Sequence, residues 1–236
     1  MKHFVEEIAN IDTQFRTVKH LKKLQSRERM DELYKHQRII YDMTRKHFLL
    51  GRDHLINRLD VPRGGSVLEL GCGTARNLVQ AAHKYPDAHF YGLDLSGEML
   101  KTAQSKVTKA DLLDRINLAY GDATDFDPDL LFGKSRFDRV FVSYSLSIIP
   151  GWEEVIEAGL SVLTRGGSLH VVDFGEQHRL PAWTRRSLHA WLANFDVSPS
   201  AELEFVMRDA AIRHFARLEF ASLYRDYARY GVITLD

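Results

Sequence analysis

The chain has 236 residues, of which 44% are hydrophobic and 11% aromatic, so it can bury the core of one large α/β domain or of two small ones. Its 32 basic side chains balance its 32 acidic ones, and this zero net charge disfavours a nucleic-acid partner. The single cysteine, Cys72, excludes an internal disulfide and a zinc site made of cysteines, so we predict no metal site and a reducing compartment. The N-terminus is acidic where a signal peptide is apolar, and no run approaches the ~20 apolar residues of a membrane span. We therefore expect a cytoplasmic protein.

Residues 1–60 are predicted to form a helical extension, because the first glycine is Gly51 and the first proline is Pro62. Apolar residues at 4–18 recur at alternating spacings of four and three, as on one face of a helix, and a further helix is predicted at 31–50. Basic side chains lie opposite that apolar face: Arg16, Lys19, Lys23 and Arg27. Such a helix can lie on an anionic membrane, or it can pack on the main domain with its charges solvated.

Residues 61–236 are predicted to form the main domain. Strands are predicted at 66–70, 89–94, 116–120, 139–143 and 168–173, and helices at 77–84, 97–107, 182–194 and 202–215. Strands that alternate with helices indicate a parallel sheet covered on both faces. Two aromatic-rich runs, 217–224 and 227–235, predict an antiparallel hairpin that turns at Arg225 and Asp226. The expected fold is α/β: a doubly wound, Rossmann-like, seven-stranded sheet with a C-terminal antiparallel hairpin and an N-terminal helical extension.

The loop after the first strand reads Glu-Leu-Gly-Cys-Gly-Thr-Ala-Arg-Asn over residues 69–77. Gly71 and Gly73 allow a tight turn and the close approach of a bulky ligand. Arg76 stands where the dinucleotide fingerprint needs glycine or alanine, which argues against a nicotinamide or flavin dehydrogenase. Glu69 places a carboxylate beside the loop, where it can attract a cationic ligand directly or through water.

Two further carboxylates follow the next strand ends. Asp94 closes the second strand and suits the hydroxyls of a ribose, as in nucleotide-binding α/β folds. Asp122 follows the third strand and can accept from an exocyclic amine such as that of adenine. Either residue alone could merely cap a helix or a turn. Together with Glu69, they favour an adenosine that bears a positive sulfonium.

These motifs resemble class I S-adenosylmethionine-dependent methyltransferases over residues 66–175. The resemblance implies S-adenosyl-L-methionine as cofactor and S-adenosyl-L-homocysteine as product. One departure is Ala75, where many such loops have a third glycine. The cofactor-binding residues that the motifs and the resemblance predict are Glu69, Gly71, Gly73, Thr74, Asn77, Asp94, Leu95, Met99, Asp122, Ala123 and Ser143.

Residues 34–52 and the segment 143–150 resemble the N-methyltransferases of betaine-lipid synthesis, which trimethylate diacylglyceryl homoserine. The resemblance implies a lipid acceptor with an amine headgroup and peripheral contact with the inner face of an anionic cytoplasmic membrane. Phosphatidylethanolamine N-methyltransferases and quinone C-methyltransferases share part of the pattern and remain alternatives. A non-catalytic S-adenosylmethionine-binding module is the alternative from another class.

The expected reaction is in-line attack of a neutral amine on the sulfonium methyl, for which positioning can supply most of the acceleration. The residues predicted to touch the reacting groups or to move the proton are Tyr41, His47 and Tyr144. Tyr34, Arg45, Arg52 and His178 are predicted to bind the acceptor. The two arginines could hold a homoserine carboxylate, or could pair with Asp42 or Asp53.

Overall fold

The structure, a computed structural model, describes residues 49–177 and 202–236. The predicted helices at 4–18 and 182–194 lie outside these residues, as does all of the 31–50 prediction except its last two residues. The seven strands are β1 Ser66–Leu70, β2 His89–Asp94, β3 Ile116–Tyr120, β4 Phe137–Ser143, β5 Leu163–Phe174, β6 Arg217–Leu223 and β7 Ala228–Thr234.

The strands form one sheet in the order β3-β2-β1-β4-β5-β7-β6. Strands β1 to β5 are parallel, whereas β7 is antiparallel to β5 and to β6. The strand order reverses at β1, between β2 and β4, which is the point where doubly wound sheets open a crevice for ligands. The predicted doubly wound sheet with a C-terminal hairpin is confirmed.

Six α-helices cover the described part of the sheet: α1 Arg52–Arg58, α2 Arg76–Lys84, α3 Gly97–Lys109, α4 Pro128–Phe132, α5 Trp152–Ser161 and α6 Leu203–Arg213. Two cores result, one on each face of the sheet. Phe90 and Phe141 are fully buried in one core, and Phe137 and Leu169 in the other. None of the helices that the structure describes is long and apolar enough to cross a bilayer.

The structure gives starting points of helices and strands that the sequence pattern did not specify. Helices α1 and α5 each begin after a glycine with positive φ, Gly51 at 95° and Gly151 at 72°, and neither start has a side-chain cap. Strand β5 begins at Leu163, five residues before its predicted start, through an exposed polar stretch, and β4 begins two residues early at Phe137. Helix α1 packs on α2, where Lys84 Nζ donates to Asn57 Oδ1 at 2.7 Å.

Candidate cofactor and acceptor site

The glycine loop joins β1 to α2 at the reversal point of the sheet. Gly71 has φ 74° and Gly73 has φ 52°, both in the left-handed region. A Cβ on Gly71 would lie 2.6 Å from Cβ of Ser145, whereas a Cβ on Gly73 would meet nothing within 4 Å. Gly71 is therefore needed for packing, and Gly73 faces open space. Ala75, buried and at φ 58°, adopts the left-handed conformation in which other loops have a third glycine.

Asp94 binds the loop to the end of β2. Its Oδ2 accepts from the Gly73 backbone N–H at 2.6 Å, and its Oδ1 accepts from the Ser96 N–H at 2.9 Å. Ser96 caps α3 as predicted, because its Oγ accepts from the Met99 N–H at 3.3 Å. Leu95 is half-buried beside them. The predicted ribose ligand, the second loop glycine and the start of α3 thus lie together.

Asp122 and Ala123 follow β3 in the next loop. Asp122 Oδ1 accepts from the Thr124 backbone N–H at 3.0 Å and from its hydroxyl at 2.7 Å. This is the turn-stabilising contact that the sequence left open as an alternative. The loop adjoins the β2 end, since the Gly121 N–H donates to the Asp94 carbonyl at 3.0 Å. Ala123 is buried.

Glu69 lies at the buried end of β1, with only 1% of its surface exposed. Asn77, in the first turn of α2, donates from Nδ2 to Glu69 Oε1 at 2.8 Å. Oε2 is buried without a hydrogen-bond partner among the described residues. The pKa of Glu69 is raised to about 8, mainly by burial and in smaller part by the nearby Asp94 charge, while Asn77, Arg52 and Arg76 oppose the shift. Glu69 is therefore a carboxyl group whose ionised form a bound cation would favour.

Arg52 and Thr74 complete the surroundings of the loop. Arg52, at the start of α1, is buried, and its Nε donates to the Leu49 carbonyl at 3.2 Å. Burial lowers the pKa of Arg52 to about 10, and the Arg76 charge adds to this, while Glu69 is among the groups that oppose it. Thr74 is buried, and its Oγ1 accepts from Lys106 Nζ at 2.8 Å.

The ends of β4 and β5 form the adjoining side of the site. Asp173, 3% exposed, accepts at Oδ1 from the Phe174 N–H at 2.7 Å and at Oδ2 from the Ser147 N–H at 3.2 Å. The hydroxyl oxygens of Ser143 and Ser147 are buried without hydrogen-bond partners among the described residues. A buried carboxylate and two hydroxyls beside the glycine loop can bind an acceptor group.

Tyr144 is almost fully buried at the end of β4, at φ 57°. Its hydroxyl donates to the Leu50 carbonyl, and its ring packs on Phe174 with centroids 4.6 Å apart. Burial raises the pKa of Tyr144 well above its usual value, and the Asp173 charge adds to this. In this arrangement the phenol is a hydrogen-bond donor that ties the residues before α1 to the sheet.

The predicted residues Tyr34, Tyr41, Arg45, His47 and His178 lie outside the described residues. The structure also shows site residues that the sequence pattern did not single out. Ser145 packs on Gly71, and its Oγ donates to the Leu70 carbonyl at 3.2 Å. Asp173 was the other omission, although its place at a strand end follows the same rule as that of Asp94.

Several observations test whether these residues fit S-adenosylmethionine. A sulfonium nucleoside needs space next to backbone, anionic groups near its charges and an acceptor for its hydroxyls. Gly73 offers the space, Glu69 has a buried oxygen without a partner in the described part of the chain, and Asp94 lies beside both. The residues present fit the group.

Comparisons with known proteins agree with this geometry. The family model described as "Methyltransferase domain" matches residues 67–167. A demethylmenaquinone methyltransferase from Listeria monocytogenes is 34% identical over 133 residues, which are 56% of this chain and 54% of that protein. One from Geobacillus kaustophilus is 33% identical over 124 residues, 52% of this chain and 50% of that protein. The chain thus spans about half the length of these curated relatives.

Solved structures share the fold. A SAM-dependent methyltransferase from Aquifex aeolicus has a TM-score of 0.60 at 15% identity, covering 89% of this chain and 98% of that one. Phosphoethanolamine N-methyltransferase 2 of Haemonchus contortus, in complex with S-adenosyl-L-methionine, has a TM-score of 0.62 at 15% identity, covering 78% and 52%. Residues 67–167 therefore match a methyltransferase domain, and the described chain has the fold of these solved S-adenosylmethionine-dependent enzymes.

Proposed function

We propose that the protein as a whole is an N-methyltransferase that trimethylates the amine of a lipid headgroup, with diacylglyceryl homoserine as the acceptor and the betaine lipid diacylglyceryl trimethylhomoserine as the product. The observation that carries the proposal is Asp173, a buried carboxylate at the end of β5. It lies next to the end of β4, because Val172 pairs with Ser143. An amine acceptor arrives as an ammonium ion, and a carboxylate in a region of low dielectric attracts it strongly.

The described residues suggest how the reaction is supported. When bound, S-adenosylmethionine supplies the methyl group and leaves as S-adenosylhomocysteine. Glu69, Gly73 and Asp94 would hold this donor on the side of β1 and β2. Asp173 would bind the ammonium through an N–H donor. The hydroxyls of Ser143 and Ser147, which have no partner within residues 49–177 and 202–236, could position the nitrogen. The amine must lose a proton to expose its lone pair, and a carboxylate within hydrogen-bond reach can pass that proton to water.

The residues outside the described part complete the proposal as the sequence resemblance implies. Tyr41 and His47 would lie by the reacting nitrogen. Arg45, with Arg52, would hold the homoserine carboxylate by charge-assisted hydrogen bonds. Tyr34 and His178 would border the headgroup.

A quinone C-methyltransferase is the second candidate, because the relatives that match over half of the chain are named demethylmenaquinone methyltransferases. A quinol ring has no cationic nitrogen, so a buried carboxylate would have no ammonium to bind. At Asp173 the first candidate therefore requires an ammonium ion, whereas the second requires at most a carboxylate that accepts the proton of a ring hydroxyl.

A transfer assay with labelled S-adenosylmethionine tests the proposal. Diacylglyceryl homoserine, phosphatidylethanolamine and demethylmenaquinol are offered separately in detergent micelles, and products are identified by mass. We expect label in a mono-, di- and trimethylated homoserine lipid. Transfer to the quinol alone would establish the second candidate, and donor binding without transfer to any acceptor would indicate a non-catalytic binding module.

Asp173→Asn supplies a sharper test, because the amide keeps the shape and removes the charge. We expect the KM for the amine acceptor to rise at least tenfold, on the scale of one lost charged hydrogen bond of about 1.5–3 kcal/mol. Affinity for S-adenosylhomocysteine should stay within twofold of wild type. An unchanged KM would remove Asp173 from the acceptor site.

A further inference from the structure

The turn between β6 and β7 has an unusual backbone. Tyr224, Arg225 and Asp226 have φ values of 53°, 60° and 66°, and the Tyr227 N–H closes the turn on the Tyr224 carbonyl at 3.3 Å. Positive φ at both central residues is typical of a type I′ hairpin turn, which usually contains Asn-Gly or Asp-Gly. Arg225, at the first central position, is sterically disfavoured in this conformation, which glycine adopts more readily.

The turn is fixed in place from the inside. The Asp226 carboxylate accepts from Ser222 Oγ at 2.9 Å and from Arg229 Nε at 3.4 Å, and the Asp226 carbonyl accepts from the Gln177 N–H at 2.9 Å. A Cβ on Gly175 would lie 2.3 Å from that carbonyl oxygen, so the residue that follows β5 lies directly against the turn. Residues held in an unfavourable conformation by their surroundings are found at functional sites.

The outward side of the turn is amphipathic. Tyr224 is 51% exposed, and Arg225 is exposed and forms no ion pair or hydrogen bond with the described residues. The neighbouring Arg229, in contrast, is paired with Glu176. The inward residues therefore hold the turn, while the Arg225 side chain and about half of the Tyr224 surface are exposed, and the Tyr224 phenol is near enough to the buried Tyr144 to help raise its pKa.

The turn lies at the edge of the sheet where the acceptor site opens. Phe174 pairs with Ala228, and Ala228 pairs with Leu223, so the turn extends past the end of β5 that holds Asp173. Leu50 is at the same edge with 39% of its surface exposed, and its carbonyl accepts the Tyr144 hydroxyl. A Cβ on its neighbour Gly51 would be 3.6 Å from Leu223 Cδ1.

We propose that Leu50, Tyr224 and Arg225, here called the rim, dock the enzyme on an anionic lipid surface. This inference rests on the proposed function, because an acceptor that resides in a membrane requires the site to meet that membrane. Tyrosine favours the boundary between headgroups and acyl chains, an exposed leucine can enter the acyl region, and arginine forms bidentate hydrogen bonds with phosphate oxygens. The rim combines all three at the edge through which a lipid headgroup would enter.

Vesicle sedimentation tests the proposal, with vesicles of phosphatidylcholine and phosphatidylglycerol in equal parts compared with phosphatidylcholine alone. The full chain should bind the anionic vesicles, and Arg225→Gln should weaken partitioning about fivefold, as expected for one basic side chain near such a surface. Tyr224→Ser should weaken binding to a similar extent. Phe215 and Arg217 provide a matched control, because they are exposed at the other end of β6, and Phe215→Ser and Arg217→Gln should leave binding unchanged.

Arg225→Gly separates docking from folding. Glycine relieves the positive φ, so the free energy of unfolding should stay the same or rise while vesicle binding falls. A purely structural turn would not give that combination. Unchanged vesicle binding in the Tyr224 and Arg225 variants, or an equal loss in the control variants, would overturn the proposal. The proposal would also be overturned if the variants changed only the molecular mass of the protein in light scattering, because the turn would then be a contact between copies of the chain.

The same variants, assayed on lipid dispersed in detergent micelles, distinguish this proposal from the proposed function. Rim variants should methylate dispersed lipid at the wild-type rate. If the wild type methylates dispersed lipid but the rim does not affect vesicle binding, only the docking proposal fails. If the wild type methylates no lipid but binds vesicles through the rim, the docking surface stands and only the proposed acceptor fails.

Discussion

Gly73→Ala separates the cofactor role of the glycine loop from its role in folding. At φ 52°, an alanine is in the left-handed region, which costs about 1–2 kcal/mol of stability. The added methyl group meets no protein atom within 4 Å, so no packing penalty within the protein follows. It would instead enter the space in which we expect the cofactor. An overpacked contact costs about 1–3 kcal/mol, so affinity for S-adenosylhomocysteine should fall roughly 5- to 150-fold.

Gly133 provides a matched control within the same chain. It has φ 62°, and a Cβ there would also meet nothing within 4 Å. It follows α4 and precedes the start of β4, so it is not part of the glycine loop. Gly133→Ala should therefore lose about 1–2 kcal/mol of stability and retain full affinity. Gly71→Ala provides the contrast, because its Cβ would lie 2.6 Å from that of Ser145. We expect a loss of about 2–5 kcal/mol there, the sum of backbone strain and overpacking.

Urea unfolding gives the stability of each variant, and calorimetric titration with S-adenosylhomocysteine gives the affinity. Gly73→Ala and Gly133→Ala should match in stability and differ in affinity. Wild-type affinity in Gly73→Ala would show that the open space beside Gly73 is not the cofactor site. An equal loss of affinity in both variants would show that backbone strain alone explains the effect.

Three further variants test the buried titratable groups and the predicted ribose ligand. Because burial raises the pKa of Glu69 from 4.5 to about 8, the folded chain holds a proton that the unfolded chain releases between those values. The free energy of unfolding should thus fall as pH rises through that window, while affinity for the cationic donor rises. Glu69→Gln should remove the pH dependence of both quantities, which denaturation and binding titrations at several pH values would measure. His170 has the opposite sign, because burial lowers its pKa from 6.5 to about 3, so stability should fall as pH falls between those values. His170→Leu should remove this acid sensitivity and cost about 2 kcal/mol at neutral pH, since Ser168 Oγ and the Tyr230 hydroxyl, each 2.8 Å from the ring, lose their partner. Asp94→Ala should weaken S-adenosylhomocysteine binding by about 1.5–3 kcal/mol in calorimetry, and an unchanged Kd would remove Asp94 from the ribose role.

The strands that the sequence predicted at their observed bounds are those bordered by clear turn signals. β1, β2 and β3 begin and end where predicted, because apolar runs there end at glycine or aspartate. The early start of β5 was not predicted because Arg165 and Gly166 are exposed and interrupt the hydrophobic pattern between Leu163 and Leu169. Helix α1 lies within the predicted helical extension at 1–60, but its start was not predicted, nor was α5, because each follows a glycine without a capping side chain. Helix α4 was also not predicted, although Asp127 caps it, because it has only 5 residues.

The predictable part of the site depends on chain order, and the rest depends on contacts between distant segments. Gly71, Gly73 and Asp94 follow from the rule that parallel strands end at one edge. The contact of Ser145 with Gly71 depends on the register between β1 and β4, in which Leu70 pairs with Val142. The position of Asp173 in the site depends on the turn after β4, in which the Ser147 N–H donates to its carboxylate. No local pattern contains either contact.

The proposed reaction requires one edge of the sheet to receive two cations, and the charges around the site bear on that requirement. A carboxylate at the end of β1 and another at the end of β2 repel each other, and the Asp94 charge is one cause of the raised pKa of Glu69. Without a cation, that repulsion and burial keep a proton on Glu69 near neutral pH. A sulfonium donor reverses the balance, so its binding should be coupled to release of that proton. Under the proposed function, the acceptor ammonium would then approach through Asp173, because the donor charge would already be balanced by Glu69 and Asp94.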